Sequence, residues 1–253
     1  MDRRWHAQRA RTCRCRASWS AAWSTRGPAS PSTCDDADGR ASYSWLMAVE
    51  REIKIGVPTD FVLPDLTGAD GLRAVDRGVH VLSTTYWDTD SLELLKSRRG
   101  LRYRTTDGGD GIWTLKAKTR RDGLALVREE TEIEGPPQQP PPQAIRLIGG
   151  DVDPAALHPV AQLRAERRVV ELVDDAGVWA EVADDSVAVL DGEREVHRFR
   201  EIEVEMRGRD DGARAGSVVE RLRTAGGGEP EASSKYVRAL RALGRDVSDA
   251  SDS

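Results

Sequence analysis

In the stretch AVEREIKIGV (48–57), Glu50, Glu52 and Lys54 recur at every second position, with Val49, Ile53 and Ile55 at most of the positions between them. On a β-strand, a period of two puts all three charges on one face. The design returns four times. LRYR (101–104) aligns Arg102 with Arg104, and IWTLKAK (112–118) sets Lys116 and Lys118 opposite Leu115 and Ala117. LVREETEI (126–133) aligns Arg128, Glu130 and Glu132, and REIEVEM (200–206) aligns Glu201, Glu203 and Glu205 against Ile202, Val204 and Met206. One such strand alone reads as a one-sided sheet with its charged face in water. Several together pose a different problem: converging bases repel unless an anion lies between them, and converging carboxylates are tolerated when cations bridge them. A polyanion with a hard divalent cation meets both demands, because bases hold phosphate oxygens and carboxylates hold Mg²⁺ or Mn²⁺. The chemistry indicated is phosphoryl transfer.

Positioning those groups requires a closed sheet. If the charged faces all point one way and the sheet curls shut, a barrel results with a polar lumen and an apolar exterior. An apolar wall of that extent cannot face water, so helices must cover it. Further strands are expected at 79–88, 160–173 and 177–184. Helices are expected at 69–77, at 90–98 with Asp90 as cap and Gly100 as stop, at 213–225 and at 233–243. The Pro-rich segment 135–143 connects two groups of strands.

Composition bounds the rest. The chain has 253 residues, 32% charged and 5% aromatic, with a net charge of −5. That balance does not invite nucleic acid, which rewards a basic surface. No apolar run approaches the roughly 20 residues of a membrane-spanning helix, so no membrane partner and a cytoplasmic location are expected. Residues 1–46 differ from the remainder. They carry Cys13, Cys15 and Cys34, together with Trp5, Trp19, Trp23 and Trp45, without any period of 2 or 3.6. No apolar core marks a signal peptide, and the acidic CDDAD run does not fit a transit peptide. The expectation is a physiological start at Met47, with 1–46 a disordered or mis-annotated extension, a domain over 47–245 and a solvated, disordered tail over 246–253. Cys13 and Cys15 lack the second ligand pair of a zinc site, and His6, His80, His158 and His197 form no cluster in sequence.

EREIK resembles the E-x-E-x-K motif of the CYTH family, the triphosphate tunnel metalloenzymes, which includes class IV adenylate cyclases, thiamine triphosphatases and inorganic triphosphatases. LRYR, WTLKAK, REETE, RAERR, AEVADD, EIEVE and SSKY are similar to that family's successive tunnel strands in their usual order, over about 47–243. The resemblance implies a mainly β (α+β) fold, an eight-stranded antiparallel closed β-barrel with covering helices. It also implies that Lys54, Arg102, Arg104, Lys116, one or more arginines of LRAERR, and Lys235 bind the triphosphate, with Arg128 in register with them. Glu50, Glu52, Glu130, Glu132, Asp185, Glu201, Glu203 and Glu205 would be the tunnel acids. Glu50, Glu52, Glu203 and Glu205 resemble the family's metal site, with Asp185 a further ligand. Strand parity puts Arg164 and Arg168 on one face and Arg167 on the other without choosing between them; similarity to the family's spacing favours Arg167. Either Asp184 or Asp185 could face inward, and parity with Glu181 favours Asp185. Lys118 is a tunnel base or a rim residue.

The expected activity is metal-assisted phosphoryl transfer from a small triphosphate to water, with Glu52 or Glu130 taking the proton. Inorganic triphosphate leads, because the aromatics after Met47 fall mostly on expected outward faces or helices and form no visible base-stacking cage. Thiamine or nucleoside triphosphate follows, then class IV adenylate cyclase. A non-hydrolytic clamp for triphosphate or polyphosphate is the reading of another class; it has no need of Glu50, Glu52, Glu203 and Glu205. The sequence leaves room for a homodimer.

Overall fold

The structure, a computed structural model, describes residues 45–207 and 212–247. Nine strands form one sheet: β1 (Trp45–Val57), β2 (Arg73–Asp88), β3 (Gly100–Thr106), β4 (Gly111–Lys116), β5 (Arg120–Asp122), β6 (Ala125–Glu134), β7 (His158–Asp174), β8 (Gly177–Asp191) and β9 (Arg194–Met206). Their order is β1-β9-β8-β7-β2-β3-β4-β6-β5, and β6 also pairs with β1, from Trp45 opposite Ile133 to Glu52 opposite Leu126. Eight strands therefore close into an antiparallel barrel, and β5 is an extra strand against the start of β6. Closure leaves no exposed ladder edge around the ring.

The alternation in the sequence sorts residues between two faces. Outside, α3 (Gly212–Thr224) lays Val218, Val219 and Leu222 over Ile53, Ile55, Ile202, Val204 and Val182. A second outer cluster seats α2 (Pro142–Ile148) through Ala144 and Ile148 against Trp87, Leu101, Trp113, Leu115 and Ile133. Pro142 occupies the first turn of α2, where a missing N–H costs nothing, so part of the Pro-rich connector starts a helix.

The interior is not charged throughout. On β8, the face that carries Asp185 continues to Val187 and Val189. These meet Leu82, Leu163, Ala165 and Phe199 of neighbouring strands. Tyr236, Val237 and Leu240 of α4 (Lys235–Ala242), with Leu92 and Leu95 from around α1 (Glu93–Lys96), fill that end of the barrel.

Four boundaries differ from the sequence expectations. The helix expected at 69–77 is one 3-10 turn, Ala69–Gly71, and residues from Arg73 onward extend β2, because the long β7 offers paired partners from Val173 onward. A bulge between Asp76 and Gly78, with Gly78 at φ 92°, absorbs the extra residue. The helix expected at 90–98 is reduced to Glu93–Lys96, and its first amides are capped by Asp88 rather than Asp90: the Asp88 carboxylate accepts from Leu94 N and Leu95 N at 2.9 and 3.0 Å. Trp45 and Leu46 belong to β1, ahead of the boundary read at Met47, and Trp45 packs on the Trp113 cluster. Val247 is buried beside Leu240 rather than solvated. The expectations for residues 1–44 and 248–253 lie outside the described residues. No helix among the described residues is long and apolar enough to cross a membrane.

Candidate active site

Register brings the charged faces together. Across β1 and β9, Glu52 stands opposite Glu205 and Lys54 opposite Glu203; across β1 and β6, Glu50 stands opposite Arg128. Lys116 faces Glu130 across β4 and β6, and Thr114 faces Glu132. Arg167 faces Asp185 across β7 and β8, and Asp185 faces Glu201 across β8 and β9. Arg104 and Arg102 of β3 face Thr84 and Tyr86 of β2. Residues from 50 to 205 in the chain thus share one inner surface.

Most of these charges are matched. In one group, Lys54 Nζ lies 3.6 Å from Glu52 and 3.4 Å from Glu203, and Lys235 Nζ lies 2.9 Å from Asp185, 2.5 Å from Glu201 and 2.8 Å from Glu203. Arg167 meets Asp185 through two hydrogen bonds of 2.7 and 2.6 Å and also donates to Glu203 at 2.8 Å. In a second group, Arg128 donates to Glu50 at 2.6 Å, Glu52 at 2.9 Å and Glu130 at 3.1 Å, while Lys116 pairs with Glu50 at 3.4 Å and with Glu130.

Burial and these partners act against each other on protonation. Burial disfavours the charged form of Glu50 and of Glu203, yet the cations beside them prevail and hold both carboxyls well below the usual range. Lys116 and Arg128 act so on Glu50; Lys235, Lys54 and Arg167 act so on Glu203. Burial also opposes the charge on Lys54 and Lys235, whose ammonium groups are nevertheless held charged by the surrounding carboxylates. Glu130 and Glu201 go the other way: burial raises both, and the cations near them do not compensate fully.

Arg102 and Arg104 stand apart. Among the described residues no carboxylate pairs with either; Arg104 donates to the Thr84 hydroxyl at 3.1 Å, and the buried Arg102 Nε has no partner. Burial, followed by Arg102 and Arg167 nearby, lowers the Arg104 pKa to about 10. Lys116 is lowered as well, by burial and then by Arg102 and Arg128. A cavity of about 130 Å³ opens here, lined by Lys54, Arg102, Lys116, Arg128, Glu203 and Lys235 among others. A buried cation without a counter-ion is costly, and an anion in this cavity removes the cost.

The remaining sequence candidates distribute as follows. Arg168 points outward to Asp76 at 2.6 Å, and Asp184 points outward to Arg200 at 2.7 Å, so Arg167 and Asp185 are the inner members of their segments. Glu205 reaches the inner surface but is held by Arg207 at 2.9 Å. Lys118 follows the end of β4 and does not line the cavity, although its neighbours Ala117 and Thr119 do. Sequence reading missed Arg207, Glu171, Tyr86, Arg98 and Arg99. Arg207 was detectable, because it continues the period of Glu201, Glu203 and Glu205; it also binds Glu181 at 2.8 Å. Glu171 stands opposite Glu181 and completes a row Glu52, Glu205, Glu181, Glu171 across four strands. Tyr86 turns inward and lines the cavity, because β2 places it opposite Arg102. Arg98 and Arg99 come from the turn after α1, which no alternation reveals.

Among the described residues no group of three or more His, Cys, Asp or Glu side chains is placed to hold a metal ion. By type alone the donors suit a hard divalent ion: Glu50 and Glu52 on β1 and Glu203 and Glu205 on β9 are carboxylates on one face of two adjacent strands. Their oxygens are at present taken by lysine and arginine. Asp185 fits less well, since Arg167 and Lys235 engage it while it is fully buried.

Comparison with known proteins gives the same architecture. A candidate adenylate cyclase from Bacillus halodurans superposes with a TM-score of 0.51 at 16% identity, covering 76% of this chain and 97% of that one. A candidate adenylyl cyclase from Hippeastrum, described as having a dominant triphosphatase activity, is 18% identical, with a TM-score of 0.49 over 79% of this chain and 98% of that one. A search of curated proteins returned no match. The sequence model that matches is that of the CYTH domain, over residues 48–236, three quarters of the chain. The protein belongs to the CYTH domain family.

Proposed function

We propose that this barrel binds the triphosphate group of a small molecule in its lumen and hydrolyses it with a divalent metal, inorganic triphosphate being the foremost substrate. The observation that carries the reading is the pair Arg102 and Arg104, cations in the inner wall without a carboxylate partner among the described residues; Arg102 lines a cavity that also receives Lys54, Lys116, Arg128 and Lys235, and Arg104 lies two residues further along the same face of β3. Phosphate oxygens match guanidinium donors in charge and geometry.

In this reading Arg102, Arg104, Lys116 and Arg128 hold the phosphoryl oxygens from the β3, β4 and β6 side, while Lys54, Arg167 and Lys235 approach from β1, β7 and α4. Their positive charge offsets the negative charge of the transferring group. Glu50, Glu52, Glu203 and Glu205 would hold Mg²⁺ or Mn²⁺, which supplies polarisation of the phosphoryl oxygens and acidification of bound water. Glu130, whose carboxyl is raised by burial, is the preferred acceptor of the water proton, because a raised pKa makes it the stronger base. Glu52 is the alternative acceptor.

Tyr86, Leu95 and Val237 give the cavity one apolar wall. This favours, as a second reading, a triphosphate bearing an organic group such as a nucleoside or thiamine.

The test is phosphate release from inorganic triphosphate, ATP and thiamine triphosphate, each with Mg²⁺, with Mn²⁺ and with EDTA. Metal-dependent release fastest from inorganic triphosphate supports the proposal. Tight, metal-independent binding without release would replace it with a non-hydrolytic clamp, and pyrophosphate release from ATP with a cyclase.

A further inference from the structure

Lys235 is the first residue of a helix only eight residues long, yet its ammonium reaches three carboxylates in the barrel wall. Ser234 caps the helix by accepting from Val237 N at 3.2 Å, a contact within the segment that does not fix where the helix sits. Val237, Ala239 and Leu240 pack on the apolar end of the lumen, and such contacts are non-directional. When an anion arrives, Lys235 must turn some of its donors from carboxylate to phosphate. The ion pairs that hold the start of α4 then weaken at the moment its position matters.

One residue along, Tyr236 supplies a second, directional link through a hydroxyl turned to a buried carboxylate. Its hydroxyl donates to Asp88 Oδ2 at 2.9 Å, both residues being buried. Asp88 is itself immobilised, since it accepts from Thr89 N at 2.8 Å and from Leu94 N and Leu95 N of α1. The Tyr236 ring stacks on Tyr86, with centroids 4.7 Å apart and planes 13° from parallel, and Tyr86 stands opposite Arg102 across β2 and β3. The contacts connect Lys235 on one side of the cavity to Arg102 on the other.

We infer that Asp88 and Tyr236 are a positioning pair that holds the Lys235 ammonium, relative to Arg102, in the place a triphosphate requires. The inference rests on the triphosphate reading above. Asp88 lies outside the cavity lining; Tyr236 contributes to the lining, but its hydroxyl is turned to Asp88, and the pair acts through Lys235.

The test is a double-mutant cycle on binding of inorganic triphosphate in EDTA, measured by calorimetry on the full chain. Tyr236→Phe keeps the stack on Tyr86 and removes only the hydroxyl. It should weaken triphosphate binding roughly tenfold, the scale of one hydrogen bond to a charged group. In a Lys235→Gln background the same change should weaken binding less than about twofold, since coupled residues are non-additive. Near-UV circular dichroism checks that each variant is folded. An equal loss in both backgrounds indicates a merely structural hydroxyl and overturns the inference. So does unchanged affinity in Tyr236→Phe alone, whether or not Lys235→Gln folds. A wild-type chain that binds no triphosphate overturns the functional proposal together with this one, whereas wild-type binding with additive losses overturns only the positioning role.

Discussion

Arg167 and Asp185 face each other in direct register across β7 and β8, and the guanidinium meets the carboxylate through two hydrogen bonds of 2.7 and 2.6 Å. Asp185 is fully buried, so the pair is a matched charge in a low-dielectric wall. Removing one partner exposes the cost of the other. Arg167→Ala should lower stability by about 3 kcal/mol, toward the lower end for a broken buried pair, because Lys235 still holds Asp185. Urea denaturation measures this, and a change below about 0.5 kcal/mol would show that the pair is not a buried one.

Asp185 also sets a pH dependence. Burial opposes its charge, but Arg167 and Lys235 prevail and lower its pKa from 3.8 to about 2. A carboxyl depressed on folding contributes stability that is present above its unfolded pKa and lost as pH falls through the folded one. The wild-type chain should therefore lose this contribution between about pH 4 and pH 2. Asp185→Asn should lack it, leaving a shallower acid transition in the same window. Identical slopes for the two proteins would contradict the assignment.

Arg102 and Arg104 should behave in the opposite way to Arg167. With no carboxylate partner among the described residues, their removal relieves repulsion instead of stranding a charge. Arg104→Ala should leave the melting temperature unchanged or raised and weaken triphosphate binding about 10- to 100-fold, the equivalent of one or two charged hydrogen bonds. Calorimetry and thermal unfolding on the same sample separate the two effects. A lower melting temperature with undiminished affinity would assign Arg104 to the fold.

Chelation separates binding from chemistry. EDTA should abolish phosphate release while leaving measurable triphosphate binding, because Arg102, Arg104 and Lys116 contribute to binding without a metal. Glu203→Ala should reproduce the loss of release in the presence of Mg²⁺. A variant at Glu203 that hydrolyses triphosphate at the wild-type rate would remove β9 from the chemistry.

The outer wall is expected to be independent of the site. Leu222 of α3 is fully buried against β1, β8 and β9, and Leu222→Ala should cost roughly 2–5 kcal/mol through lost burial and the cavity it leaves. Below its lower melting temperature the variant should keep wild-type affinity for triphosphate. Loss of affinity in a fully folded sample would mean that the outer helix sets the geometry of the lumen.

The local pattern of the sequence determines a great deal by itself. A side-chain period of two is a property of the extended chain, so the common inner face of Glu50, Glu52 and Lys54, of Arg102 and Arg104, and of Glu201, Glu203 and Glu205 was readable residue by residue. The apolar opposite faces called for covering helices, and the eight-stranded closed barrel was implied by the resemblance to the CYTH family. Other features were decided by register and closure, which bring together residues far apart in the chain. Parity left Arg164, Arg167 and Arg168 unresolved, and only pairing with β8 turned Arg167 inward to Asp185 and Arg168 outward to Asp76. The helix expected at 69–77 became strand because β7 offered paired partners that local sequence does not display. The apolar end of the lumen and the reach of Tyr236 to Asp88 depend on α4 entering the barrel. Sequence fixes which face a side chain takes on its own strand, because that is local geometry; which charges meet across the lumen, and which arginines are left without a partner, is fixed only when the strands close.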